Sequence, residues 1–411
     1  MKIETYLRYM AEKGASDLYM TTGARLSIKL DGEMVPISEK PLKPGVAKAV
    51  AYELMTADQQ AQFETNLEMN LGLPIYDVGR FRVNIYYQRG EVSLVVRYVS
   101  SNIRSLEELD VPLILQDQVM HKTGLVLMVG ATGTGKSTTL AAMVDHRNRN
   151  KAGHILTIED PIEFAFSHKR SIVGQREVGI DTLSYRNALR EAMREAPDVI
   201  MVGEIRDHET MEAALSFADT GHLVLSTLHA VNANQALDRI MGLFPDDSRN
   251  RVLQDLSLNL RCIASQRLIV SDNGGRVPAV EVLINTPFVA DLISKGNVGD
   301  IKEVMEKSTS IGMQTFDQSL LYLYQEGKVS REEALANADS RNNLEWRMNF
   351  GGGVSDPTVE TAALQSFSES SLASSKDVSP AKQRERASKE EAQARSPLDD
   401  LMPVSEARQK R

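Results

Sequence analysis

The sequence predicts an α/β fold built on two different kinds of sheet, and three observations carry the prediction. In the N-terminal part, strand-like runs at Arg25–Leu30, Gly79–Gln88 and Glu91–Val99 are separated by turns containing Gly32 and Gly90, the pattern of a small α/β domain with an antiparallel sheet. Between Gly124 and Ile284, apolar runs of strand length at 125–129, 155–158, 199–202, 223–226 and 279–284 alternate with amphipathic helical patterns. Strands that are apolar on both sides and joined through helices predict a mainly parallel sheet covered on both faces. Beyond it, residues 288–293, 301–305, 316–325 and 331–338 read as a helical subdomain. After Gly351 to Gly353 the apolar periodicity gives way to Ser, Glu, Lys, Ala and Gln, as in a disordered tail. The expected division is 1–104 for the N-terminal domain, 105–120 for a linker with a short helix after Pro112, 121–285 for the second sheet, 286–350 for the helices and 351–411 for the tail.

Bulk properties narrow the function classes. With 411 residues the chain exceeds a single domain of about 100–200 residues. Its 25 % charged and 42 % apolar residues are the composition of a soluble globular protein. A formal net charge of −9 opposes binding to a polyanion, so direct contact with nucleic acid is not expected. Cys262 is the only cysteine, which excludes an internal disulfide and a four-cysteine zinc site and suits a reducing compartment. Residues 1–10 mix Lys2, Glu4 and Arg8 among apolar positions rather than forming a signal peptide, and no run approaches the roughly 18–20 apolar residues of a transmembrane helix. A cytoplasmic protein is expected, reaching a membrane only through a partner.

The chemistry-bearing segments follow the apolar strands. GATGTGKS at 130–137 has the full P-loop spacing, follows the run 125–129 and opens a helix. Its glycines let successive amides face phosphate oxygens, with the helix N-terminus adding positive potential. Lys136 is placed to reach the β- and γ-phosphates of ATP, and Ser137 to coordinate Mg²⁺. Hydrolysis also needs a group that orients water and groups that neutralise charge, and in a parallel sheet these belong at the carboxyl ends of strands. TIEDPIEF at 157–164 delivers Glu159, Asp160 and Glu163 to such a position. DVIMVGEIRD at 198–207 has the apolar strand and terminal carboxylate of a Walker B element, with Gly203 and Glu204 where an Asp is common; Glu204 is read as holding Mg²⁺ through water or positioning the nucleophile. TGHLVLSTLHA at 220–230 flanks a strand with His222 and His229, the latter at its carboxyl end.

These segments, in this order, resemble the Walker A, Asp box, Walker B and His box of the type II/IV secretion superfamily of hexameric ATPases. The resemblance extends over about the first 340 residues. Within it, the short N-terminal domain, GRFRVNIYYQRG at 79–90 and MQTFDQSL at 313–320 are similar to the type IV pilus retraction ATPases, the PilT/PilU group. The AIRNLI segment of PilT-type members is reduced here to Asp291, Leu292 and Ile293 within residues 288–297, which together with the extended tail lies nearer the PilU side of the group.

The resemblance implies a PAS-like N-terminal domain, a RecA-like P-loop ATPase domain, appended helices and a homohexameric ring. It implies nucleotide binding by Gly130, Ala131, Thr132, Gly133, Thr134, Gly135, Lys136, Ser137 and Thr138, with Mg²⁺ at Ser137 and Glu204. It further implies that Glu163 polarises the attacking water, that His222 and His229 sense or contact the γ-phosphate side, and that Arg82 and Arg97, with Arg80 or Arg104 behind them, reach the triphosphate as the domains close. The implied partners are a PilT-type paralogue and the pilus platform protein at the inner face of the bacterial inner membrane. Two other readings stand beside this one: an accessory nucleotide-binding ring subunit, and a RecA-type nucleic-acid motor, which the acidic balance disfavours.

Overall fold

The computed structural model describes residues 3–350, which form a six-stranded antiparallel sheet and a seven-stranded, mainly parallel one. The tail expected at 351–411 lies outside the described residues.

The first sheet is built from α1 (Ile3–Glu12), β1 (Asp17–Met20), β2 (Arg25–Leu30), β3 (Glu33–Pro41), α2 (Val46–Leu54), α3 (Ala57–Asn66), β4 (Glu68–Ile75), β5 (Gly79–Gln88) and β6 (Glu91–Val99). Its order is β3-β2-β1-β6-β5-β4. Two hairpins set the register. Asp31 and Gly32 (φ 49° and 87°), and Arg89 and Gly90 (φ 51° and 78°), supply the consecutive positive φ values that a two-residue turn between twisted strands requires. Helix α1 buries Ile3, Leu7 and Met10, spaced by one or two turns, against a core that includes Leu18, Phe63, Phe81 and Leu94. Strands β1, β3 and β4 were not anticipated: β3 is exposed along most of its length and β4 buries only Leu71, so neither shows an apolar alternation.

The second sheet follows α4 (Ile114–Met120) and runs through β7 (Gly124–Val129), α5 (Lys136–Asn150), β8 (Gly153–Glu159), β9 (Ser171–Glu177), α6 (Tyr185–Ala192), β10 (Val199–Val202), α7 (His208–Asp219), β11 (Leu223–Leu228), α8 (Ala233–Gly242), α9 (Arg249–Asn259), β12 (Leu260–Val270) and β13 (Arg276–Ile284). Its order is β13-β12-β7-β11-β10-β8-β9, with only the β12–β13 pair antiparallel. Alternation along the strands divides the core. Leu125, Leu127 and Val129 face α6 to α9, whereas Val126 and Met128 face α4 and α5, where Leu106 and Val111 of the preceding segment are also buried. Then α10 (Pro287–Ser294) and α11 (Ile301–Lys307) complete the first of these faces. The helices α12 (Phe316–Gln325), α13 (Arg331–Ala336) and α14 (Arg341–Phe350) pack on the far part of the β12–β13 hairpin.

Strands β7, β8, β10 and β11 run parallel and in register, so their carboxyl ends and the loops that follow gather on one edge. The two sheets meet at this edge. Beyond β6, Ser100 pairs with Phe164 in a parallel bridge, and the Ala165 amide donates to the Ser100 carbonyl at 2.9 Å. No helix among the described residues is long and apolar enough to cross a membrane.

The interior strand β7 sets a stability test. Leu127 is fully buried in β7, so Leu127→Ala should destabilise the protein by about 2–5 kcal/mol in urea unfolding, whereas Leu127→Met should cost less than about 1.5 kcal/mol.

Candidate active site

The loop between β7 and α5 is shaped by its glycines. Gly133 and Gly135 adopt φ of 79° and 87°, which L-residues rarely take, and a Cβ on Gly135 would stand 2.7 Å from the Gln266 amide nitrogen. Lys136, the first residue of α5, is 7 % exposed and folds back to donate to the carbonyls of Gly130 and Ala131, both at 2.8 Å. Burial lowers its pKa, opposed by Glu204 and Glu163. The cation is therefore held over the loop with carboxylates on its other side. The neighbouring Ser137 lines the same cleft, and its hydroxyl has no hydrogen-bond partner among the described residues. A free hydroxyl beside the lysine suits the metal of a nucleotide complex.

The cleft has a volume of about 310 Å³ and is lined by Thr132, Gly133, Lys136 and Ser137 on one side and by Glu159, Glu163, Glu204 and His229 on the other. Glu204 is fixed at both oxygens: His229 Nε2 lies 2.9 Å from Oε1 and an Arg206 nitrogen 2.8 Å from Oε2. Burial, followed by Lys136, lowers the His229 pKa, which favours the neutral imidazole beside the carboxylate. The strand ends lock one another. The Gly203 amide donates to Ile158 O at 2.8 Å, and Thr227 Oγ1 donates to Gly203 O at 2.8 Å. A Cβ on Gly203 would lie 3.1–3.3 Å from the Tyr185 hydroxyl, Ile158 O and Glu159 Cα, which gives the Gly-Glu form of this turn a steric cause.

Three expected residues stand elsewhere. His222 precedes β11 and His229 follows it, so they occupy opposite ends of a six-residue strand, about 20 Å apart. The His222 ring bonds Phe217 O at 3.1 Å through Nδ1 and packs edge-on against Phe217, so within one chain the structure does not bring it to the cleft. Arg82 and Arg97 are cross-strand neighbours on β5 and β6 and do not line the cleft either. Arg97 donates to Asp17 at 2.7 Å, and Arg82 lies 3.7 Å from Glu177, although Glu163 and Asp160 are near enough to favour its charge.

Sequence reasoning missed two supports. Gln266 of β12 accepts from Thr139 Oγ1 at 2.8 Å and donates to Thr134 O at 2.9 Å, clamping the P-loop from the neighbouring strand. Glu159, read only as one of three loop carboxylates, is 7 % exposed and accepts from Thr157 Oγ1 at 2.6 Å, from Gln175 Nε2 at 3.1 Å and from the backbone amide of Glu163. Gln175 also donates to Phe164 O and accepts from the Phe166 amide, so the two side chains staple the loop that carries Glu163. No spacing rule marks Gln266, whereas the glutamate-rich loop itself was legible.

Losing the two bonds of Gln266 should loosen the cradle: Gln266→Ala is expected to weaken nucleotide binding by about 1–3 kcal/mol in an equilibrium titration. Burial pushes Glu159, and likewise Glu281 under α8, up to about 7. Each raised value favours the folded state in its acid form, a contribution fully present below the ordinary carboxylate range and lost as pH rises through about 7. Thermal midpoints measured from about pH 5 to 8 should therefore carry a falling component that shrinks in Glu159→Gln.

Comparison with known proteins agrees with this geometry. The type II/IV secretion system protein family matches residues 2–329. The type IV pilus ATPase PilU of Pseudomonas aeruginosa is 50 % identical over 352 residues, covering 85 % of this chain and 92 % of PilU. The type IV pilus retraction ATPase PilT of the same organism is 42 % identical over 344 residues, covering 84 % of this chain and all of PilT. A crystal structure of the pilus retraction motor PilT with bound ADP superposes with a TM-score of 0.77 at 40 % identity, covering 84 % of this chain and 99 % of that one. With P-loop, carboxylate loop and Gly-Glu turn converging on one cleft, the chain belongs to the type II/IV secretion family and, within it, to the PilT/PilU group of type IV pilus ATPases.

Proposed function

We propose that the chain is an ATP-hydrolysing ring motor that powers type IV pilus retraction, acting with a PilT-type paralogue. The observation that carries the reading is the convergence of Lys136, Ser137, Glu163 and Glu204 on one cleft. The names and identities of the PilU and PilT relatives give that chemistry its setting.

Lys136 and the amides of residues 130–138 bind the phosphates. Ser137 would hold Mg²⁺ directly and Glu204 through water, since both oxygens of Glu204 are already engaged by His229 and Arg206. The metal would supply neutralisation of charge between the phosphates. Glu163, whose backbone amide is tied to Glu159, orients and polarises the attacking water. Neutral His229 keeps Glu204 turned toward the lysine side and faces the γ-phosphate, while His222 fixes the distant end of β11. Arg82 and Arg97 enter as the PAS-like domain, 1–104, closes on the ATPase core, 121–285. Closure around a homohexamer then moves the N-terminal domains and drives pilus disassembly at the platform protein, on the cytoplasmic face of the inner membrane.

A second reading rests on residues 288–297, where the AIRNLI segment of PilT-type members is not preserved: an accessory ring subunit that needs its paralogue for turnover. ATP turnover by the purified chain, alone and mixed with a PilT-type protein, separates the two. An autonomous motor turns over alone; Lys136→Ala loses binding, and Glu163→Gln binds nucleotide yet slows by about 10²-fold or more. Turnover and twitching motility that survive Lys136→Ala would sink the motor reading.

A further inference from the structure

Glu177 ends β9 opposite Glu159 in register, and its side chain is 4 % exposed. A carboxylate buried this far needs positive partners. Its two oxygens are served unequally. Oε2 accepts from an Arg80 terminal nitrogen at 3.1 Å, whereas Oε1 faces Arg82 Nε at 3.7 Å, too long for a hydrogen bond. Arg80 has a second carboxylate as well, Asp181 at 3.6 Å, and Asp181 is itself fixed by the Glu177 amide at 2.9 Å. Gly72 makes room for the Arg80 guanidinium, because a Cβ there would stand 2.7 Å from its terminal nitrogen. Arg80 is thus anchored and Arg82 only loosely held.

Arg82 is also the one with somewhere to go. Its cross-strand neighbour Arg97 is bound to Asp17 at 2.7 Å and repels it, while Glu163 and Asp160, both lining the cleft, attract it. A guanidinium held without a hydrogen bond finds better partners in the dense oxygens of a triphosphate, where its planar fork can make two parallel bonds.

We propose that Glu177 is a positioning residue that parks Arg82 beside the cleft in the nucleotide-free chain and competes with the phosphates for it, while Arg80 keeps the buried carboxylate paired after Arg82 leaves. The inference rests on the nucleotide reading of the cleft. No covalent step is involved, only an exchange of anions at one cation.

The test is an equilibrium titration of the full chain with a fluorescent ATP analogue, alongside ATPase kinetics and thermal unfolding. Glu177→Gln should bind the analogue about two- to fivefold more tightly, the range for removing one member of a part-exposed ion pair, with KM lowered and kcat little changed. Glu177→Asp, which withdraws the carboxylate by one methylene, should shift affinity in the same direction and serves if the glutamine variant does not fold. In an Arg82→Gln background the gain should vanish. Unchanged or weaker binding by the folded variants, or a gain that persists without Arg82, would overturn the proposal. A merely structural Glu177 would instead lower the unfolding temperature and kcat without a selective gain in affinity. If the wild-type chain binds no analogue, the nucleotide reading falls and this proposal with it, whereas failure of the variants alone removes only this one.

Discussion

The site depends on the two hydrogen bonds of Gly203. Its amide ties β10 to Ile158 at the end of β8, and its carbonyl is gripped by Thr227 at the end of β11. Three strand ends are thereby held at one level, and the next residue, Glu204, leaves the sheet in a fixed direction. The absence of a side chain is what permits this, since Tyr185, Ile158 and Glu159 leave only 3.1–3.3 Å where a Cβ would go. Parallel strands make such mutual fastening possible because their carboxyl ends fall on the same edge.

Around that fastening, buried polar groups are balanced against one another. Lys136 loses solvation but gains two carbonyls and two nearby carboxylates. Glu204 is shared between a neutral imidazole and a guanidinium, and Glu159 accepts three donors that order the loop bearing Glu163. In a low-dielectric cleft an unpaired member of any of these sets would be costly, so the groups specify one another's positions before any nucleotide arrives. Glu163 stands apart, with its backbone fixed and its carboxylate left to the cleft.

What the sequence disclosed followed from local pattern. The P-loop spacing, the four-residue β10 and the amphipathic α12 all announce themselves, because uninterrupted apolar runs and capped helices are local properties. The edge strands β3 and β4 do not, since exposure on both faces removes the alternation. Strand β12 was hidden for another reason: Arg261, Ser265, Gln266 and Arg267 interrupt its apolar run, and two of them serve the interior through side-chain hydrogen bonds. Gln266 lies 132 residues from the carbonyl it binds, a contact that only the sheet order creates. The separation of the two histidines was in principle readable, because residues flanking a strand must lie a strand length apart.

The bridge between Ser100 and Phe164 has a mechanical consequence. The residue that follows the last strand of the N-terminal sheet does not merely lie near the loop that carries Glu163; the Ser100 carbonyl accepts from the Ala165 amide, two residues beyond the glutamate. Any torque on the N-terminal sheet is then borne by a joint only two residues from Glu163. A molecule built this way does not keep its transmission separate from its combustion chamber: load at one end presses on the chemistry at the other.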